Sequence, residues 1–190
     1  MADPVTRHGA LLPRERAGLI VIDVQETFRP AIHAFEQTAA NCGLLAEGFG
    51  VLGRPVLTSV QYPERLGEIV PEVADRLPAG VEPVAKLRFS ACGVDAFEDA
   101  LEAAGCDTWV LAGIETHVCV NQTAHDLLAR GLAVHVAADA VSSRTERNRD
   151  LGLAKMAAAG AVVTSTETAL FEMLEEAGSP EFKAISRLVR

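Results

Sequence analysis

The sequence predicts an α/β fold, in which a parallel β-sheet is covered by helices on both of its faces. Short apolar runs alternate with longer helical patterns along most of the chain. The first run, "AGLIVIDV" (Ala17–Val24), is almost continuously apolar, as expected for a strand that is buried on both faces. Three helical patterns each end at a glycine that precedes the next strand, namely Gly105, Gly131 and Gly160. This alternation favours βαβ units, whose ligands bind at the carboxyl ends of the strands.

The individual strands and helices follow from these patterns. The predicted strands, in chain order, are Ala17–Val24, Arg54–Val60, Val81–Leu87, Thr108–Ile114, Ala133–Asp139 and Ala161–Thr166. The third of them is the weakest candidate, because Pro83 suits only an edge strand or the start of a strand. The predicted helices are Ala31–Leu52, Val94–Ala104, His117–Arg130, Arg144–Ala159, Thr168–Glu176 and Glu181–Val189. Since no internal repeat or linker interrupts the pattern, we expect a single domain over residues 1–190, with an irregular segment at 1–15.

The composition argues against several classes of function. The chain has 190 residues and a formal net charge of −9. This acidic balance disfavours a surface for nucleic acid or for an anionic membrane. No apolar stretch approaches the roughly 20 residues of a membrane span, and the first residues lack the apolar centre of a signal peptide. We therefore expect a cytoplasmic protein that binds neither nucleic acid nor membrane.

The cysteines and glycines indicate neither a metal nor a nucleotide cofactor. Cys42, Cys92, Cys106 and Cys119 form no CxxC pair, and cysteines of a cytoplasmic chain are expected to be reduced. The segment "GFGVLG" (Gly48–Gly53) fits the dinucleotide fingerprint, but its glycines close a helix and precede a strand. The fingerprint requires the opposite order, with the strand first. We therefore expect no cofactor and no metal site.

Three reactive side chains stand at the ends of predicted strands. Asp23 ends the first strand, Lys86 ends the third, and Cys119 follows the fourth. If these strands are parallel neighbours, the carboxylate can take the thiol proton, while the ammonium and a helix N-terminus favour the reactive thiolate. The turn "GIETHVC" adds backbone N–H groups that can receive a developing oxyanion. A purely structural role stays open for each residue: Asp23 as an ion-pair partner, Lys86 as a solvated side chain and Cys119 as a buried thiol.

The segments around these residues resemble the isochorismatase-like cysteine hydrolase superfamily. In chain order they are "LIVIDVQETF", "TSVQYPERLG", "AKLRFSAC", "VLAGIETHVCVNQTAHDLLARG" and "VAADAVSSRTERNRDLGLAKMAAAGAVVTSTETALFEML". The resemblance extends from about Ala17 to Arg190. The tail "SPEFKAISRLVR" is similar to the subgroup of isochorismatase-domain-containing proteins.

This resemblance implies a fold, a catalytic triad and an assembly. The implied fold is a Rossmann-like, three-layer αβα sandwich with a six-stranded parallel sheet, and the implied triad is Asp23, Lys86 and Cys119. A cis peptide bond between Ile114 and Glu115 is also implied, with the backbone N–H groups of Glu115 and Cys119 forming the oxyanion hole. By the same resemblance we expect a homo-oligomer, a dimer or larger.

Departures from related families narrow the predicted reaction. Nicotinamidases of this superfamily carry a histidine-containing metal site after the second strand, where this chain reads "SVQYPERLG" without histidine. Isochorismatases that cleave a vinyl ether typically lack the cysteine that stands here at 119. The resemblance therefore implies a metal-independent cysteine hydrolase that cleaves a small amide or related acyl substrate through a thioester. A non-catalytic interaction protein with the same fold, and a redox sensor based on Cys119, are the alternatives.

Aromatic side chains near the predicted strand ends are candidates for lining the substrate pocket. They are Phe28, Tyr62 and Phe89, although ordinary core or rim positions would explain them equally well. His117 stands two residues before Cys119, but residues two apart on a helix point in different directions. This spacing disfavours a Cys–His dyad.

Overall fold

The centre of the molecule is a six-stranded parallel sheet with the strand order β3-β2-β1-β4-β5-β6. The structure, a computed structural model, describes residues 7–190, so part of the predicted irregular segment at 1–15 lies outside the described residues. The strands are β1 (Ala17–Ile22), β2 (Val56–Gln61), β3 (Val84–Lys86), β4 (Thr108–Ile114), β5 (Ala133–Ser142) and β6 (Val162–Thr164). The predicted α/β fold with six parallel strands is confirmed.

Helices cover both faces of this sheet and complete the three layers. They are α1 (Phe35–Val51), α2 (Pro63–Leu66), α3 (Pro71–Ala74), α4 (Asp95–Ala104), α5 (Asn121–Ala129), α6 (Glu146–Ala158), α7 (Thr166–Leu174) and α8 (Pro180–Leu188). The first predicted helix begins later than expected, because Ala34 adopts a left-handed conformation with φ 48°. The two four-residue helices, α2 and α3, were not predicted, because one helical turn is too short to show a periodic pattern.

Alternate residues of each central strand face different cores. In β1, Leu19 and Val21 pack into a cluster with α1, α7 and α8, whereas Ile20 and Ile22 pack into a cluster with α4, α5 and α6. Every residue of β1 and β4 is buried. This burial on both faces explains why these strands have continuous apolar sequences instead of alternating ones.

The strand order reverses direction between β1 and β4. From β1 the chain adds β2 and then β3 on one side, and it then returns to place β4 on the other side. In open α/β sheets, the crevice at such a reversal, outside the carboxyl ends of the strands, is where ligands bind. Gly113 allows a close approach there, because a Cβ atom at this position would lie 2.1 Å from the Ile22 carbonyl oxygen.

Candidate active site

Asp23 lies directly after β1 and is almost completely buried, with 1% of its surface exposed. Its backbone is left-handed, with φ 54°. The Oδ1 atom accepts a hydrogen bond of 2.8 Å from the Ser59 hydroxyl, and the Oδ2 atom lies 2.7 Å from the Lys86 ammonium. Burial raises the pKa of Asp23, while the positive charge of Lys86 and the hydrogen bond from Ser59 work against this rise.

Lys86 ends β3 and its side chain is fully buried. Its Nζ atom donates hydrogen bonds to Gln61 Oε1 at 2.7 Å, to the Arg88 carbonyl at 3.1 Å and to the Phe89 carbonyl at 3.0 Å. Because an ammonium group has three hydrogens, these acceptors account for all of them. The Oδ2 atom of Asp23 is 2.7 Å from Nζ but lies outside regular hydrogen-bond geometry.

Cys119 lies in a π-helical turn, Thr116–Val120, between β4 and α5. Its thiol interacts with the side chains of both Asp23 and Lys86, and 7% of the residue is exposed. Burial, followed by the negative charge of Asp23, raises the pKa of the Cys119 thiol to about 12, and the Lys86 charge offsets this only in part. The Lys86 ammonium does favour the thiolate, as expected from the sequence, but burial and the Asp23 charge raise the thiol pKa by more than Lys86 lowers it.

The backbone before Cys119 forms a tight turn. The peptide bond between Ile114 and Glu115 is cis. The Glu115 carbonyl accepts hydrogen bonds from Val118 N and Val120 N, the two residues that flank Cys119. The Glu115 carboxylate accepts hydrogen bonds from the backbone N–H and the Nε atom of Arg144, at 3.0 and 3.1 Å. The segment after β5 therefore helps to hold the turn in place.

A comparison with models of known protein families shows the family of this chain. Residues 17–168 match the family model described as the isochorismatase domain. The chain belongs to the isochorismatase family.

Relatives of this isochorismatase-family chain match it over nearly its full length. Isochorismatase domain-containing protein 2A from Mus musculus is 38% identical over 96% of this chain and 86% of its own length. The secreted isochorismatase effector Isc1 from Phytophthora sojae is 38% identical over 100% of this chain and 91% of its own length. Among solved structures, MAR1 ribonuclease from Caenorhabditis elegans is 35% identical, with a TM-score of 0.90 over 94% of this chain and 92% of that one.

The three predicted pocket residues of this isochorismatase-family chain lie in different surroundings. Phe28 packs against the core cluster that contains α1, whereas Cys119 belongs to the opposite cluster. Tyr62 is 39% exposed and Phe89 is 55% exposed, although the Phe89 carbonyl contacts Lys86. A cleft of about 420 Å³ beside the edge strand β3 is lined by Tyr62, Pro63, Glu64, Ala85, Lys86 and Leu87. Only Tyr62 among the predicted aromatics lines this cleft.

Several residues that support the site were not singled out from the sequence. Ser59 and Gln61 contact the ion pair directly, and both are polar residues of β2. Gly152 lies in the middle of α6, where a Cβ atom would come within 3.0 Å of the His117 backbone. The Nδ1 atom of His117 itself lies 3.0 Å from the Ser143 hydroxyl. A glycine inside a helical pattern is a signal of such close packing.

The described residues contain neither a cluster of metal ligands nor a membrane-spanning helix. Within residues 7–190, no group of three or more His, Cys, Asp or Glu side chains is arranged to hold a metal ion. No helix in the same part of the chain combines the length and the apolar character needed to cross a membrane. The four cysteines are all free and buried.

Proposed function

We propose that this isochorismatase-family chain is a metal-independent cysteine hydrolase that cleaves a small amide or related acyl substrate through a thioester intermediate. The observation that carries the proposal is the buried ion pair between Asp23 and Lys86, with 2.7 Å between Oδ2 and Nζ, beside the Cys119 thiol. A base, a cation and a nucleophile at the carboxyl edge of one parallel sheet are the groups that acyl transfer requires.

The acylation step begins with the protonated thiol. Asp23 accepts the proton as the sulfur attacks the substrate carbonyl, so that a free thiolate need not accumulate in a site where burial disfavours it. The backbone N–H groups of Glu115 and Cys119 receive the oxyanion. Lys86, whose hydrogens are donated elsewhere, stabilises the developing negative charge from a fixed position. The amine then leaves with the proton that Asp23 holds.

The deacylation step uses the same base a second time. Once the amine has left, Asp23 is again a carboxylate and takes a proton from the attacking water. The water oxygen adds to the thioester carbonyl, and the same N–H groups stabilise the second oxyanion. Collapse of this intermediate breaks the C–S bond, and the proton returns from Asp23 to the sulfur. The raised pKa of Asp23 suits both roles, because a more basic carboxylate accepts a proton more readily.

The name of the nematode relative raises RNA as an alternative substrate. That protein is called a ribonuclease and is 35% identical to this chain. Against RNA stands the net charge of −9, because nucleic-acid affinity depends on neutralising phosphates with basic residues. An acyl carbonyl also suits a cysteine nucleophile that forms a thioester. We therefore favour the acyl substrate and include RNA as an arm of the test.

Location and assembly belong to the same proposal. Four free, buried cysteines fit a reducing compartment such as the cytoplasm, although the Phytophthora relative is called a secreted effector. A homo-oligomer fits the large apolar side chains that stay exposed in the single chain, including Leu87, Phe89 and Leu151. Analytical ultracentrifugation tests the assembly, and a strictly monomeric protein would contradict it.

A substrate screen tests the proposed reaction. Purified protein is incubated with a panel of small primary amides and, separately, with an RNA oligonucleotide; released ammonia and RNA fragments are measured. We expect ammonia release that is lost in Cys119→Ala and kept in Cys92→Ala, whose thiol is buried in the same core cluster. Intact-mass analysis after rapid quenching should show an acyl group on the wild-type protein. RNA cleavage that survives Cys119→Ala, with no amide turnover, would overturn the proposal.

A further inference from the structure

Two side chains of β2 surround the ion pair of the candidate active site. The Ser59 hydroxyl donates to Asp23 Oδ1 at 2.8 Å, and Gln61 Oε1 accepts from Lys86 Nζ at 2.7 Å. Because β2 lies between β1 and β3 in the sheet, it separates the strands that carry the two charges. Residues two apart in a strand point to the same face. Ser59 and Gln61 therefore approach the pair from one side, while Thr58 and Val60, which flank Ser59, point to the other.

The two oxygens of the Asp23 carboxylate are not equivalent. Oδ1 is held by the hydrogen bond from Ser59, whereas Oδ2 is buried and has no hydrogen bond of regular geometry, although the Lys86 ammonium is 2.7 Å away. Buried polar atoms in native proteins nearly always have a partner, so an exception calls for a functional explanation. The titratable groups that face Asp23 within the described residues are Lys86 and Cys119. Of these, only the thiol has a hydrogen left to give.

Lys86 acts on Oδ2 mainly through its charge, because its hydrogens are shared with three other oxygens. Its ammonium is 2.7 Å from this oxygen, yet its hydrogens are donated to Gln61 Oε1 and to the carbonyls of Arg88 and Phe89. The Gln61 amide is itself fixed, because its Nε2 atom donates to the Leu87 carbonyl at 2.9 Å. Gln25, which is fully buried, holds the Gln61 backbone through two further hydrogen bonds of 2.8 and 3.0 Å. The orientation of the ammonium is thus determined from β2.

We propose that Ser59 and Gln61 are positioning residues that select Asp23 Oδ2 as the atom that exchanges the proton with Cys119. Ser59 fixes Oδ1 and thereby the plane of the carboxylate, and Gln61 keeps the Lys86 hydrogens away from Oδ2. In the exchange, the S–H bond breaks, its electron pair stays on sulfur, and an O–H bond forms on Oδ2. Lys86 keeps its three hydrogens throughout. The proposal rests on the proposed function, because it assigns atoms to the same acid–base step.

The pH dependence of Cys119 alkylation measures this proton exchange without a known substrate. Iodoacetamide is the probe: the sulfur displaces iodide, and peptide mass mapping reports the rate at Cys119 alone. Because the thiol has a pKa of about 12, alkylation near neutral pH requires the carboxylate to accept the proton. The acidic limb of the rate profile therefore follows the ionisation of Asp23.

The two positioning residues predict shifts of opposite direction. Ser59→Ala removes a hydrogen bond to the charged carboxylate, so the acidic limb should move to higher pH by about one unit. Gln61→Met frees one Lys86 hydrogen for Oδ2. The new hydrogen bond favours the ionised form of the carboxylate and occupies the oxygen that would accept the thiol proton. Its acidic limb should move to lower pH, and its maximal rate should fall about tenfold. A residue that only supports the fold would lower the rate at every pH without moving the limb.

Thr58→Val is the matched control for this experiment. Thr58 is a buried neighbour on the same strand whose hydroxyl has no partner, so its loss should leave the profile unchanged. The proposal is overturned if Asp23→Asn abolishes labelling but the acidic limb does not move in Ser59→Ala and Gln61→Met. It is also overturned if the acidic limb moves in the same direction in both variants. If instead Asp23→Asn is labelled at the wild-type rate, the proposed function itself fails. Should Ser59→Ala not fold, Gln61→Met decides alone.

Discussion

Replacing Lys86 with methionine removes the cation from a fully buried ion pair. The change deletes the contact at 2.7 Å with Asp23 and three hydrogen bonds, while methionine keeps most of the side-chain volume. Removing one partner of a buried ion pair costs about 3–5 kcal/mol, because the other charge stays buried without compensation. Since domains of this size are stable by about 5–15 kcal/mol, Lys86→Met should fold but lie near the margin.

A second substitution separates the free-energy cost of the uncompensated charge from the cost of lost packing. Adding Asp23→Asn to Lys86→Met removes the uncompensated carboxylate, so the double variant should recover about 2 kcal/mol relative to Lys86→Met. Lowering the pH should act in the same direction. In Lys86→Met the folded-state pKa of Asp23 lies above its unfolded value, so the folded state binds more protons between the two values. The free energy of unfolding should therefore increase as the pH falls from about 7 to about 5.

Urea denaturation followed by far-UV circular dichroism measures these free energies directly. The wild type, the two single variants and the double variant form a thermodynamic cycle at each pH. A cost below about 1 kcal/mol for Lys86→Met would refute the assignment of a buried, compensated pair. The same conclusion would follow if Asp23→Asn added its own cost to that of Lys86→Met instead of offsetting it. All variants should lack amide hydrolysis, which provides an independent readout.

Further substitutions test the packing around the site and one buried histidine. Gly152→Ala places a Cβ atom 3.0 Å from the His117 backbone, so it should slow Cys119 alkylation about tenfold; Gly50→Ala, which meets only the Pro78 side chain, is the control and should leave that rate unchanged. Gly113→Ala, at φ 113°, should destabilise the fold by about 3 kcal/mol or more in urea denaturation, because the Cβ atom would overlap the carbonyl of a neighbouring strand. Burial lowers the pKa of His135 in the folded state, so the unfolded chain binds more protons than the folded chain below about pH 6.5. The free energy of unfolding should therefore decrease as the pH falls below this value, by at most about 1.4 kcal/mol per pH unit. His135→Leu should flatten that slope in the same denaturation experiment, and an unchanged slope would contradict the assignment.

The sequence was sufficient for the strands and for the placement of the three reactive residues. Continuous apolar runs identify strands buried on both faces, and the carboxyl ends of parallel neighbours meet at one edge. Asp23, Lys86 and Cys119 do meet there. Their contact could be expected because it depends only on which strands are neighbours, and not on the detailed packing of side chains.

The supporting residues depend on register and burial, which a single sequence does not display. Ser59 and Gln61 reach the ion pair because β2 pairs with β3 in a register that sets Gln61 beside Lys86. A shift by one residue would turn both side chains to the opposite face of the sheet. The raised pKa of Cys119 was likewise missed, because it arises from the depth of burial and the nearness of Asp23. Neither quantity is visible in the spacing of residues along the chain.

The strand that carries Lys86 is three residues long and lies at the rim of the sheet. So short a rim has few ladder hydrogen bonds to hold it, and rim segments open locally at a lower free energy than the central strands. The oxygens that accept hydrogen bonds from the Lys86 ammonium therefore also hold this strand in place. On gradual heating, this rim should detach first and carry the cation away, so that the proposed hydrolysis should stop while the central strands are still intact.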